Sequence, residues 1–173
     1  MAHFQELVDQ IKKETGVEII GLMRQIGRIR NSVGKTAKDV VGFDYVVKDA
    51  EGGCLEYYAA NPPLIGFSHP MSVFCPLGVV AFNSYKINYS TAIEIYQKLS
   101  NHQPFVAISL SWPLTHPETK EPFWHIRSED GTDYAIGAIS GQEDGGHTPV
   151  ALYMGPTVVK YMGPNLKYMG PQE

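Results

Sequence analysis

Residues 105–112 (FVAISLSW), 122–128 (PFWHIRS) and 132–140 (TDYAIGAIS) decide the fold class of this chain. Each run is rich in β-branched and aromatic residues, and the first two alternate in character with the two-residue period of a strand. Glu129, Asp130 and Gly131 stand where the last two runs close into a hairpin, since a tight turn needs residues that tolerate positive φ. In the first run Val106, Ile108, Leu110 and Trp112 form an apolar side, leaving Phe105, Ala107, Ser109 and Ser111 on the other. In the second, Trp124 and Ile126 go inward and Phe123, His125 and Arg127 take the opposite face. A face mixing Phe, His, Arg and Ser suits a protein or ligand contact, because aromatics and Arg are favoured at binding hot spots. Phe123, His125 and Arg127 are therefore candidate protein-binding residues. Cover by the first half of the sheet or by the tail is the plain alternative.

Upstream of these strands, Thr91 and Glu94 have the spacing of a capping box, and Ala92, Ile95, Tyr96 and Leu99 supply an apolar helical stripe. The N-terminal half follows the same plan. Phe4, Leu7, Val8 and Ile11 mark one face of a helix that Gly16 is placed to end. Residues 17–29 and 40–48 (VVGFDYVVK) read as strands, as do residues 54–60 (CLEYYAA), which follow the turn signal at residues 49–53. Residues 71–83 are apolar and read as buried, with Pro76 and Gly78 arguing against regular structure. The order is helix, three strands, bridge, helix, three strands. The expected fold is α+β: a first helix-plus-strands unit over residues 1–63, a bridging segment over 64–89, a second unit over 90–146, and an extended C-terminal tail over 147–173. Two such units suggest duplication. VGFDYVVKDAEGG and FWHIRSEDGTDY share the pattern of a strand running into an acidic-glycine turn.

Residues 91–141 carry a helix, the strand VAISL, the strand FWHI with its aromatic pair, an Asp-Gly turn and a strand ending in Gly, YAIGAISGQ. This arrangement resembles a PepSY-type unit, related in shape to the cystatin-like fold. The resemblance implies tandem α+β repeats of the kind found in β-lactamase-inhibitor proteins, whose curved sheet grips a protein partner.

Composition narrows the function classes. The chain has 173 residues, 43% hydrophobic and 18% charged, with a net charge of −4. That is a globular composition, too mild in charge to imply a polyanion or membrane partner. The N-terminus lacks the basic start and apolar run of a signal peptide, and no stretch approaches the roughly 20 apolar residues of a membrane span. Cys54 and Cys75 sit in apolar, strand-like surroundings. Without an export signal they are expected as buried free thiols in a reducing cytoplasm.

Motifs for chemistry are sparse. Gly34, Lys35 and Thr36 spell the end of a phosphate-binding loop, but the required earlier glycine would be at position 29, which is Ile29. Arg24, Arg28, Arg30, Lys35 and Lys38 form a basic patch. It reads as a solvated edge that discourages strand pairing, or as an anionic or protein contact. Nucleic acid is not expected, since no recognition motif accompanies the patch. The histidines at 3, 69, 102, 116, 125 and 147 have no metal-ligand spacing. No nucleophile motif occurs. The expectation is a protein that is not an enzyme, with no cofactor and no metal. It would bind a protein partner, with a homo-oligomer possible and no membrane partner. The alternatives are a small-molecule-binding or enzymatic cystatin-like cone, in which His125 and Arg127 would be the polar groups, and a structural subunit of a larger assembly.

The tail repeats one word three times: Tyr153-Met154-Gly155-Pro156, Tyr161-Met162-Gly163-Pro164 and Tyr168-Met169-Gly170-Pro171. Gly-Pro breaks helix and sheet alike, so successive copies would stand roughly 20–27 Å apart in an extended chain. Tyr and Met give each word an amphipathic ring and a pliable apolar arm. Tyr153, Met154, Tyr161, Met162, Tyr168 and Met169 are thus candidate protein-binding residues that would act by avidity. A duplicated tail laid on the protein's own surface is the plain alternative.

Overall fold

Asp49 shows how local chemistry starts the sheet. Its Oδ1 accepts hydrogen bonds from the backbone N–H groups of Glu51 and Gly53 at 2.9 and 2.8 Å. Gly52 takes the positive φ of 92° that the turn demands. The chain therefore reverses between β2 (Val40–Asp49) and β3 (Cys54–Ala60). A computed structural model of the chain describes residues 2–61, 64, 66–114 and 120–143. In it α1 (Ala2–Thr15) ends at Gly16, whose φ is 72° and whose N–H reaches the Lys12 carbonyl. β1 (Ile19–Ile29), β2 and β3 form an antiparallel meander. α2 (Tyr89–Leu99) precedes a second meander of β5 (Phe105–Ser111), β6 (Phe123–Ser128) and β7 (Asp133–Gly137). Gly131 supplies the second turn, with φ 89°.

The two meanders and a short strand β4 (Met71–Val73) make one sheet, ordered β4-β3-β2-β1-β5-β6-β7, in which β1 pairs antiparallel with β5. The α+β class and the order of helices and meanders are as the pattern predicts. β4 (Met71–Val73) is an added short edge strand from the bridging segment. Ile11 of α1 and Ala92, Ile93 and Tyr96 of α2 belong to one core cluster with Phe43, Tyr45, Leu110, Trp124, Ile126 and Ile136. Trp124 is completely buried, and its Nε1 donates to the Ile87 carbonyl at 2.7 Å.

Several expectations are corrected. α2 starts earlier than the Thr91–Glu94 box. Its N-cap is Asn88, in extended conformation, whose side chain accepts from the Thr91 N–H at 2.9 Å. Phe105 is a core residue, packed edge-on against Tyr96. An irregularity between Phe105 and Ala107 breaks the alternation that would have put it on the other side. Residues 71–83 are not uniformly buried: Met71, Phe74 and Leu77 are exposed. Cys54 and Cys75 are joined in a disulfide, with Cα atoms 5.2 Å apart, and are not free thiols. The register explains it. Cys54 pairs with Val73 across β3 and β4, which brings the residue two positions on within bonding reach. A lasting bridge is a feature of oxidising compartments and pulls against a reducing cytoplasm. No described helix is long and apolar enough to cross a membrane.

Candidate functional site

Antiparallel partners point to the same side of a sheet, so the register maps the face opposite the core cluster residue by residue. One row runs Met71, Glu56, Val46, Arg24, Ser111, Phe123, Gly137 across all seven strands. The next runs Tyr58, Asp44, Ile26, Ser109, His125, Ala135. Arg28 stands beside Gly42 one row further on, and Arg127 beside Asp133.

Three arginines share this face. Arg28 Nε and Nη2 donate to the two oxygens of Asp44 at 2.9 and 2.6 Å, and its guanidinium lies over the Tyr58 ring, 4.2 Å from the centroid. A Cβ on Gly42 would fall 2.2 Å from the Tyr58 hydroxyl, so only glycine leaves room for that ring. Arg127 Nε and Nη2 hold Asp133 in the same fork, at 2.7 and 3.0 Å. In both arginines the hydrogen-bonded carboxylate raises the pKa, with burial opposing. Arg24 differs. It is half-buried, and its Nε is sealed from solvent without a hydrogen-bond partner. Burial lowers its pKa to about 10, partly offset by the negative charge of Glu56. The hydroxyls of Ser109 and Ser111 are likewise sealed and without a partner.

The predicted contact face is thus not a solvent surface where its aromatics stand. Phe123 is 7% and His125 3% exposed, and Arg127 is half-buried and ion-paired. Burial pushes the His125 imidazole down to about 4, with the Asp133 charge opposing. Ser109 faces His125 across β5 and β6, yet its hydroxyl makes no hydrogen bond. The Asp133 carboxylate is committed to Arg127. A serine nucleophile hydrogen-bonded to its base is therefore not formed among the described residues.

The basic patch is divided by the fold. Arg24 and Arg28 belong to the sheet face, while Arg30, Lys35 and Lys38 are exposed on the connection between β1 and β2. In that connection the N–H groups of Lys35 and Thr36 donate to Asp39 Oδ2 at 2.8 and 2.9 Å, which lowers the Asp39 pKa. Amides that a phosphate would need are already taken by a carboxylate of the chain itself. No group of three His, Cys, Asp or Glu is placed to hold a metal among the described residues. Tyr153, Met154, Tyr161, Met162, Tyr168 and Met169 lie outside the described residues.

Sequence reasoning missed one surface. Phe74 and Leu77 are essentially fully exposed, at 101% and 96%, with Met71 and Leu114 more than half exposed. Cys75 ties this loop to β3, Gly78 accepts from the Leu114 N–H at 2.8 Å, and Val80 N–H reaches the Trp112 carbonyl. Val73, Cys75, Val79 and Ala81 pack with Met23, Val46 and Cys54 in a second, smaller apolar cluster. The signal available was Phe-Cys-Pro-Leu-Gly, a loop-forming string whose apolar letters cannot all turn inward. No protein-family model, curated protein or solved structure matches this chain.

Proposed function

We propose that this protein is a non-enzymatic protein-binding module, of inhibitory or regulatory kind, and that its contact surface is the β4 edge with the Phe74–Leu77 loop. The observation that carries this reading is the exposure of Phe74 and Leu77 on a loop held by a disulfide and by backbone hydrogen bonds. A pinned loop spends little entropy on binding, so its apolar side chains act as preorganised anchors. β4 is only three residues long and sits at the sheet edge, where a partner strand adds by backbone hydrogen bonds while anchors fill pockets beside it. The face around Phe123 and His125 is withdrawn from this role by its burial. The Tyr-Met-Gly-Pro words remain proposed as a second set of contacts that raises avidity.

The test is a photocrosslinking residue at position 74 in the full-length chain, followed by affinity of the labelled protein for the purified chain. Phe74→Asp with Leu77→Asp should lower that affinity by a factor of about a hundred, with an unchanged melting midpoint. A chain ending at Gly146 should lose a smaller share. Equal binding by the double variant would remove this surface from the proposal. Crosslinks only to other copies of the chain would recast it as a self-association surface.

A further inference from the structure

Among the described residues, four other than glycine hold a positive φ: Asn31 at 57°, Ser32 at 65°, Asn101 at 54° and His102 at 62°. They fall as two consecutive pairs, one in the connection between β1 and β2 and one just past the end of α2. The fold brings these two connections together. Gly34 and Phe105 exchange both backbone hydrogen bonds at 2.8 Å. Gln97 Nε2 donates to the Lys35 carbonyl at 3.0 Å and to the Gln103 carbonyl at 3.4 Å. The His102 N–H closes onto the Gln97 carbonyl at 2.8 Å, which fixes the second pair. Left-handed backbone costs energy that glycine avoids, and Asn and His tolerate it better than Ser does. All four side chains are exposed, so packing does not account for keeping them where glycine would be easier. Such positions cluster at ligand clamps.

The same surface is cationic. Arg30, Lys35, Lys38 and Lys98 are exposed on it, and among the described residues none forms an ion pair. Asp39, the acid of the first connection, is committed to the Lys35 and Thr36 N–H groups. Glu129 and Asp130 lie on the adjoining β6–β7 turn, where the Glu129 N–H meets the Pro104 carbonyl, and they bound the area on that side. Val33 and Leu99, 37% and 41% exposed, add apolar contact. Four cations with two aliphatic side chains complement a short protein segment that mixes carboxylates with apolar residues. A nucleic acid is the poorer fit. Neither connection carries a Phe, Tyr or Trp ring on which a base would stack, and the chain's net charge of −4 opposes a long polyanion.

We propose that residues 30–39 and 98–103 together form a docking surface for an acidic segment of a protein partner. This surface is separate from the Phe74–Leu77 loop. Leu22, near the start of β1, is bonded to Phe82 just after that loop, whereas the cationic connection leaves β1 at Ile29, about 23 Å further along the strand. The proposal therefore stands independently of the β4-edge reading.

The full-length 15N-labelled protein is titrated with a hexaglutamate peptide, with sodium glutamate at the same carboxylate concentration, and with hexathymidylate, all at equal ionic strength. Backbone amide resonances are followed throughout. The expected result is a saturable shift with hexaglutamate, confined to residues 30–39 and 98–103, and none with sodium glutamate. Lys35→Glu with Lys38→Glu should weaken the peptide at least about tenfold, as reversal of two exposed charges would. Ser32→Gly with His102→Gly should weaken it about threefold or more, while the melting midpoint stays equal or rises because backbone strain is relieved. A loop kept only for structure would gain stability without losing affinity. Hexathymidylate bound more tightly than hexaglutamate, sodium glutamate equal to the peptide per carboxylate, or peptide binding untouched by either double variant would overturn the proposal.

Discussion

On the core side of the sheet, the row Tyr57, Tyr45, Gln25, Leu110, Trp124, Ile136 is buried throughout. On the other side, the row through Arg24 mixes exposed Met71, half-buried Glu56 and Arg24, and buried Ser111 and Phe123. The first side is held by packing: Tyr45 and Tyr57 stack at 5.3 Å, and Trp124 meets Phe43 and Tyr85. Even there the Gln25 Oε1 and Tyr57 hydroxyl are buried without partners, and burial raises the Tyr57 pKa. The second side adds to its smaller apolar cluster two completed arginine–carboxylate forks, and Arg24 without one. A core contact is non-directional and contributes through area, whereas a fork contributes through geometry and little through net energy. The largest single packing contribution should accordingly reside on the core side.

That division can be broken experimentally. The largest effect belongs to Trp124→Ala, which empties a fully buried site and orphans the Ile87 carbonyl. About 3–5 kcal/mol of unfolding free energy should disappear in urea titrations, and a loss below about 1 kcal/mol would contradict the packing described. Acid should probe the opposite face through His125. Its folded pKa of about 4 lies below the ordinary 6.5. The unfolded chain therefore binds more protons between those values. Stability from this group is complete above pH 6.5 and is lost as pH falls toward 4, a total of roughly 3 kcal/mol. The dependence should flatten in His125→Phe, and an unchanged profile would assign the acid sensitivity to other groups.

Reduction of Cys54–Cys75, which closes a loop across 21 positions, should cost about 3 kcal/mol. Thiol labelling before and after reductant checks that the bridge exists in the purified protein. A double-mutant cycle on Arg127 and Asp133 should return about 0.5–1 kcal/mol, since the pair is only partly buried. The smallest change is the most informative. Arg24→Met should be neutral or slightly stabilising, because it removes a desolvated charge that has no carboxylate. A clear destabilisation would show that Arg24 is satisfied and that the two faces differ less than described.

Alternation and turn chemistry were enough to identify two helices, two meanders and the inward direction of Trp124 and Ile126, because side-chain period and glycine geometry are local properties. Cys54–Ala60 was readable to the residue, being bounded by Gly53 on one side and Asn61 on the other. Asn88 as the cap of α2 was not, since Thr91 offered an equally good local signal, whereas its N–H is the donor that the Asn88 side chain accepts. The outward side of residues 105–111 was legible for Ser109 and Ser111, and misread for Phe105 because one irregular pairing shifts a face. Arg24 could be recognised as basic, but its isolation could not. It depends on β1 lying between β2 and β5, a pairing of residues more than 80 positions apart. The disulfide and the Phe74–Leu77 surface likewise follow from where β4 docks. Amino-acid order determined the elements and their faces, through backbone propensity and period. Tertiary structure alone decided which charges met carboxylates, which hydroxyls were sealed and which apolar side chains were left outside, because each depends on neighbours distant in the chain.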